Sequence, residues 1–228
     1  MPLSSTITPL DGDALLTSHI KAISGVFNAC SKGNLASVKK AVSEGADLNK
    51  NDAGGRSALL EAAWNGSNDI VKYLLEEGAN PNIADKSGFT PIMRASEGGY
   101  HIVVNTLVQK GADVNCRGHV RGTTPLMLAA ENGHIKVITT LLDNGAKINA
   151  VDQYEETALG RAYRTYQTKA AQLLESKGGR GKPDRHSYAH TDKELRHVTR
   201  ASMPQLNVSA QDIADEEPSA DEPDFDEE

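Results

Sequence analysis

Apolar residues recur along the chain in short helical patterns separated by glycine. In residues 70–75 and again in residues 137–142, aliphatic side chains occupy the first, second, fifth and sixth positions, a spacing that places them on one face of a helix. A shorter apolar stretch precedes each pattern, as in TPIMRAS at Thr90–Ser96 and TPLMLAA at Thr124–Ala130. Ser or Thr as N-cap followed by Pro at the first helical position predicts a helix start. The chain therefore consists of helix pairs, with a glycine between the two helices of each pair.

These helix pairs repeat with a fixed period. Five glycines are separated by 33, 33, 34 and 33 residues, and the first four begin the segments GADLN, GANPN, GADVN and GAKIN. They are Gly45, Gly78, Gly111, Gly145 and Gly178. A second glycine series (Gly33, Gly66, Gly99 and Gly133, with Tyr166 in the fifth place) and a Ser/Thr series run in phase with the first. Each GA glycine is expected to end a second helix in the left-handed conformation.

The period and the T-P motif resemble the ankyrin repeat, whose first helix opens with T-P-L-H-x-A. The resemblance implies an all-α solenoid in which each repeat is a pair of antiparallel helices with a β-hairpin finger. The five repeats are expected at about residues 22–51, 52–84, 85–118, 119–151 and 152–177, forming one domain over residues 22–177. The histidine of the motif is replaced by Leu60, Met93, Met127 and Gly160, so the hydrogen bond that it makes within the turn is expected to be absent. The first and last copies depart most from the pattern and are predicted to be capping repeats.

The flanking segments lack the period. Residues 1–21 are predicted to be an N-terminal extension with a short capping helix at 11–21, and residues 178–228 a disordered tail that is acidic from residue 212. Residues 1–177 hold 18 basic and 18 acidic side chains, whereas the tail holds 6 basic and 13 acidic ones. The tail is interpreted as a solvating segment, as a contact for a basic client, or as a cover for the protein's own groove.

Several classes of protein are disfavoured by composition and spacing. The neutral body argues against a general DNA or RNA binder. No stretch approaches a membrane span, and residues 1–13 lack the features of a signal peptide, so we expect a cytoplasmic protein with the nucleus as a second compartment. Cys30 and Cys116 have no ligand spacing, and no catalytic motif occurs, which predicts no metal, no cofactor, no small-molecule substrate and no enzymatic activity. A monomer is expected.

The resemblance implies a binding surface made of the finger tips and the ends of the first helices, which line one concave face. The residues predicted to contact a partner protein on this face are Arg56, Trp64, Asn65, Phe89, Glu97, Arg121, Thr123, Glu131, Asn132 and Arg164. Trp64 is either a binding anchor or a side chain that packs sideways on adjacent repeats. Phe89 is either a contact or a shield for its finger. The function predicted is non-catalytic protein recognition, as an adaptor or scaffold. The alternative is an assembly factor or chaperone for a basic client that uses the acidic tail.

Overall fold

The computed structural model describes residues 25–52, 54–118 and 121–181. Within them the chain forms helices and turns, with no strand. Residues 25–31 are helical and are called α1. The other helices are α2 (Leu35–Ser43), α3 (Ala58–Trp64), α4 (Asn68–Glu76), α5 (Pro91–Glu97), α6 (His101–Gln109), α7 (Pro125–Glu131), α8 (Ile135–Asp143), α9 (Ala158–Arg164) and α10 (Thr168–Ser176). The predicted capping helix at 11–21 and the predicted acidic tail lie outside the described residues.

The helices form two layers. The seven-residue helices α3, α5, α7 and α9 each pack on the next of the series and make the inner layer, while α4, α6, α8 and α10 make the outer layer in the same order. Alanines fill the space between the inner helices because their small side chains allow close approach. Those with no exposed surface include Ala62, Ala63, Ala95, Ala129, Ala130 and Ala162. None of the described helices is long and apolar enough to cross a membrane.

The predicted Ser/Thr residues stand at the N-cap of each inner helix from α3 onward. The hydroxyls of Ser57, Thr124 and Thr157 accept a hydrogen bond from the backbone N–H three residues later. Thr90 occupies the same position but makes no such bond, and its hydroxyl instead lies 3.2 Å from the thiol sulfur of Cys116. At α7, the Met127 thioether accepts from the Thr124 N–H at 3.4 Å, a weak substitute for the hydrogen bond expected to be lost with histidine.

Both glycine series adopt the left-handed backbone conformation that their positions require, and the inner-turn series is also covered by the next repeat. Gly66 has φ +68°, and a Cβ on it would lie 2.5 Å from the ring of Tyr100. Gly99 lies under His134 in the same way, and the imidazole Nε2 of His134 is 2.9 Å from the carbonyl of Glu97. Tyr166 has φ +58° at the equivalent point of the last described pair. The place of this pair in a capping repeat stays a prediction.

Asparagines of the GA segments link successive repeats. The side-chain amide of Asn82 donates to the carbonyl of Gly111 at 3.0 Å, and its oxygen accepts from the N–H of Asp113 at 2.8 Å. Asn49, Asn115 and Asn149 make the equivalent pair of bonds, the last of them to Gly178 and Arg180. One side chain thus satisfies a backbone donor and a backbone acceptor of the following repeat, which explains why asparagine closes each G-A-x-x-N segment.

Candidate protein-binding groove

The fingers are tight turns, three of which are organised by an aspartate. In each of these, the backbone N–H of the aspartate donates to the carbonyl four residues later, at 2.9 to 3.0 Å. The aspartate Oδ1 accepts from backbone N–H groups two and four residues later, which leaves Oδ2 available for a side chain. The three aspartates are Asp52, Asp85 and Asp152. In each case Oδ2 accepts from an arginine, so every one of these turns carries an ion pair.

The inner helices all end at the same position of the repeat. These positions hold Trp64, Glu97, Glu131 and Arg164, the last residues of α3, α5, α7 and α9. Each was among the predicted contact residues. We use the name groove for the surface between the finger side chains and these helix ends.

The guanidinium of Arg94 lies between two aromatic rings. Its central carbon is 3.9 Å from the centre of the Phe89 ring and 4.5 Å from that of the Trp64 ring. The same guanidinium pairs with Asp85 Oδ2 at 3.0 Å and Glu97 Oε2 at 3.1 Å. The ion pairs hold the guanidinium in place, and its cation–π contacts hold both rings against it. Trp64 nevertheless remains 46% exposed.

A second cluster surrounds Arg161 in the last inner helix. Arg161 donates to Asp152 Oδ2 at 2.9 Å, to Glu131 Oε2 at 2.8 Å and to the Thr123 hydroxyl at 3.0 Å. Burial by itself raises the pKa of Asp152, but the hydrogen bonds from Arg161 and from the Glu156 and Tyr154 N–H groups outweigh it and lower the pKa. The carboxylate is therefore ionised at neutral pH.

Arg164 extends this cluster at the surface. It donates to Glu156 at 2.8 Å and to Glu131 at 3.2 Å. The hydrogen bond to Glu156 is the main cause of the raised pKa of the Arg164 guanidinium. At the opposite end of the groove, the exposed Arg56 pairs with Asp52 at 2.8 Å and Glu61 at 3.3 Å. Both ends of the groove thus present paired charges.

A cavity of about 230 Å³ opens between the two arginine clusters. Its apolar walls come from the finger residue Phe89, from Met93 of α5 and from Leu128 of α7, while Arg121, Glu131 and Arg161 supply polar groups. Leu128 stands at the helix position that holds Arg94 and Arg161 in the neighbouring repeats, four residues after the N-cap. Gly118 closes the finger where the others have an aspartate, through its N–H to the Thr123 carbonyl at 2.9 Å. The cavity therefore lies in the repeat that lacks this ion pair.

The finger within the single 34-residue interval, between Gly111 and Gly145, also carries positive charge. Arg117 donates to the carbonyl of Val151 in the next finger, and the backbone carbonyl of Arg121 accepts from the N–H of Gln153 at 3.0 Å. The Arg121 guanidinium lies 6.0 Å from the ring centre of Tyr154, and within the described residues it has no ion pair. The neighbouring His119 lies outside the described residues.

One predicted contact residue does not lie at the surface. Thr123 is only 8% exposed and its hydroxyl is bonded to Arg161, so that what remains accessible of it lies in the lining of the cavity. Of the other nine, six are exposed (Arg56, Trp64, Asn65, Arg121, Asn132 and Arg164) and three are partly buried (Phe89, Glu97 and Glu131), and their contact with a partner stays a prediction. Asn65 and Asn132 both use their amide to cap the preceding helix turn, by donating to the carbonyls of Glu61 and Leu128. Trp64 packs on Arg94 of the next repeat and keeps nearly half of its surface exposed, and its role as a binding anchor stays a prediction.

Sequence reasoning missed the two arginines that organise the groove, Arg94 and Arg161. A signal was present, since each follows a finger aspartate by nine residues and the two pairs recur at twice the repeat period. It also missed Leu128, because this leucine is notable only by comparison with Arg94 and Arg161 at the same position of the neighbouring repeats.

A family model described as ankyrin repeats (3 copies) matches residues 26–118 and again residues 116–182. No curated protein matches the sequence at a significant level. The matched segments cover more than half of the chain and include all the helix pairs described above. Ankyrin repeats generally serve as protein–protein interaction modules and are typically non-catalytic. The all-helical solenoid that the resemblance implies is confirmed, with turns in place of the expected β-hairpins in the described fingers. The chain belongs to the ankyrin-repeat family.

Proposed function

We propose that this protein is a non-catalytic adaptor or scaffold that binds a partner protein in the groove between its fingers and its inner helices. The observation that carries the proposal is Trp64, which is held by Arg94 on one side and exposed to the groove on the other. A large, rigid aromatic side chain with a free N–H donor is the kind of residue that dominates protein interfaces.

The charges of the groove favour selective recognition of one surface. Arg56, Arg94, Arg161 and Arg164 are each paired with carboxylates of the same groove, so little net field extends from them. A partner gains from these groups by matching their hydrogen-bonding pattern, which gives specificity rather than general attraction to one sign of charge.

The cysteines support a non-catalytic function. Burial raises the pKa of Cys30 to about 12 and that of Cys116 to about 11, so both are neutral thiols at physiological pH. A thiol acts as a nucleophile through its thiolate, which is scarce at these pKa values.

We propose that the protein is a monomer in the cytoplasm, with the nucleus as a second compartment.

Affinity capture tests the proposal. The immobilised full chain is incubated with cell extract beside its Trp64→Ala and Ile102→Ala variants, and the retained proteins are identified by mass spectrometry. Ile102 is the matched control because it is an exposed apolar residue of the outer helix α6. A partner lost from Trp64→Ala and kept by Ile102→Ala is expected. Equal retention by all three forms would exclude Trp64 as the anchor.

The salt dependence of that binding separates the adaptor from the alternative chaperone. Binding of a basic client by the acidic segment from residue 212 weakens steeply with ionic strength, because exposed charges are screened beyond roughly 10 Å at 0.1 M salt. Binding through the Trp64 groove changes little. Loss of the partner on deletion of residues 185–228, which keeps the contacts of Asn149 with Gly178 and Arg180, together with no effect of Trp64→Ala, favours the chaperone.

A further inference from the structure

The cavity beside Leu128 differs from the rest of the groove because it is apolar and unfilled. The neighbouring repeats fill the equivalent space with an arginine held by a finger aspartate, as Arg94 and Asp85 show. In this repeat Leu128 and Gly118 replace both members of the pair, and the walls are Phe89, Met93 and Leu128. An apolar side chain entering from solvent would lose its contact with water without displacing any ion pair.

The size of the cavity limits its occupant. An apolar cavity of about 150 Å³ in another protein holds one benzene molecule. The space here is about 230 Å³, which accommodates one aliphatic side chain of leucine or methionine size together with part of its backbone. Since Ser87 and Arg121 at its mouth are exposed, the cavity opens into the groove.

The positive charge at the mouth of the cavity indicates which kind of partner residue lies next to the side chain that the cavity accommodates. Arg121 lines the cavity, and among the described residues its guanidinium contacts only the ring of Tyr154, at 6.0 Å from the ring centre. The other arginine of the cavity, Arg161, is already paired with Asp152 and Glu131. Arg121 is therefore the positive group available to an incoming carboxylate.

We infer that this cavity binds a leucine or methionine side chain of an extended partner segment, with an aspartate or glutamate next to it in the partner sequence pairing with Arg121. The inference rests on the proposed function and specifies the chemistry of the partner. Trp64 contributes to the same groove from the other side of Arg94, so the segment extends from this cavity toward α3.

Selection of peptides from a random library tests the inference. A phage library of random dodecapeptides is selected on the immobilised full chain, and the enriched peptides are synthesised with a fluorophore. Their affinities are measured by fluorescence anisotropy for the wild-type protein and for the variants Leu128→Phe, Arg121→Gln, Lys136→Gln and Trp64→Ala. Lys136 is the matched control because it is an exposed cation on the outer helix α8.

The expected peptides carry Leu or Met beside Asp or Glu. Filling the cavity with Leu128→Phe weakens their binding by about tenfold or more, the loss expected when one aliphatic side chain is no longer buried. Arg121→Gln weakens binding by about threefold to tenfold at low salt and reduces its salt dependence, as expected for a charge at the rim of an interface. Lys136→Gln has no effect.

A measurement on the wild-type protein keeps the inference testable if Leu128→Phe does not fold. Met93 and Met127 are both fully buried, but only Met93 lines the cavity. Titration with a selected peptide is expected to shift the ¹H–¹³C methyl signal of Met93, assigned through Met93→Leu, and to leave that of Met127 in place.

The outcomes distinguish the inference from the proposed function. Peptides that lose binding with Trp64→Ala but are unaffected by Leu128→Phe, or that lack the apolar–acidic pair, overturn the inference and leave groove recognition standing. Peptides that bind equally well to every variant, without a shift of the Met93 methyl, overturn both.

Discussion

Arg161 Nη2 lies 2.9 Å from Asp152 Oδ2, and the two side chains are only 6% and 0% exposed. Such a buried ion pair depends on both members, because either charge alone would remain buried without a partner. Arg161 also joins the last inner helix to Glu131 of α7 and to Thr123 of the preceding finger. The pair therefore holds the end of the stack together.

Replacing Arg161 is expected to destabilise the protein strongly. Arg161→Met should lower the free energy of unfolding by about 3–5 kcal/mol, since the Asp152 carboxylate is left buried and unpaired. Arg164→Met is the matched control, and its exposed pairs with Glu156 and Glu131 should cost less than about 1 kcal/mol. Urea unfolding followed by circular dichroism measures both. Equal losses in the two variants would contradict the assigned role of the buried pair.

Acid should destabilise the fold through Asp152. Its pKa is lowered in the folded state, so its contribution to stability is fully present above the unfolded value of about 4 and is lost as the pH falls below it toward the folded pKa. Asp152→Asn should therefore reduce the stability at neutral pH and also flatten its decline in acid. Asp52, whose pKa is lowered but whose side chain is more exposed, should give a smaller flattening as Asp52→Asn. Urea unfolding at a series of pH values measures the slopes, and an unchanged acid slope for Asp152→Asn would contradict this account.

The repeat period predicted where the inner helices begin, where the outer helices end, and that Tyr166 departs from the pattern, because each of these depends on local backbone conformation. It did not predict the burial of Thr123, since the Arg161 that covers this residue comes from 38 positions further along the chain. The cavity was missed for a related reason. It arises from a difference between repeats, with Leu128 where the two neighbouring repeats have Arg94 and Arg161, and its shape depends on how three inner helices pack.

Two residues of the last described repeat occupy left-handed positions that other repeats fill with glycine. Glu155 has φ +60° where Gly55, Gly88 and Gly122 stand in the other fingers, and Tyr166 has φ +58° in the inner-turn series. A non-glycine residue in this conformation destabilises the folded state by about 1–2 kcal/mol. Glycine avoids this strain, but its greater conformational entropy in the unfolded state cancels part of the gain. Glu155→Gly and Tyr166→Gly should each raise the free energy of unfolding by roughly 0.5–1 kcal/mol.

The opposite substitution provides the control for those two variants. Gly66→Ala should destabilise by more than Gly45→Ala, because a Cβ at Gly66 meets the Tyr100 ring while nothing lies within 4 Å of one at Gly45. Both are measured by thermal unfolding. Destabilisation by Glu155→Gly would show that its side chain contributes more than its backbone costs.

Both thiols should be unreactive in the native protein. With pKa values of about 12 for Cys30 and about 11 for Cys116, the thiolate fraction at pH 8 is lower than that of a free cysteine by roughly a hundredfold or more. Labelling with a chromogenic disulfide reagent should be slow in buffer and become rapid in denaturant. Raising the pH to 9 should accelerate native labelling in proportion to hydroxide. Rapid labelling of either cysteine at pH 8 would contradict their burial.

Photocrosslinking to a captured partner tests the central claim of groove recognition most directly. A benzophenone side chain is introduced at two positions beside the groove, in place of Asn65 next to Trp64 and in place of Tyr154 next to Arg121, and in place of Ile102 on the outer helix α6; all three positions are exposed, and Trp64 itself is kept. Groove recognition predicts adducts with the partner from positions 65 and 154 and none from position 102. Adducts from position 102 alone would show that the partner binds the outer layer and would contradict the account.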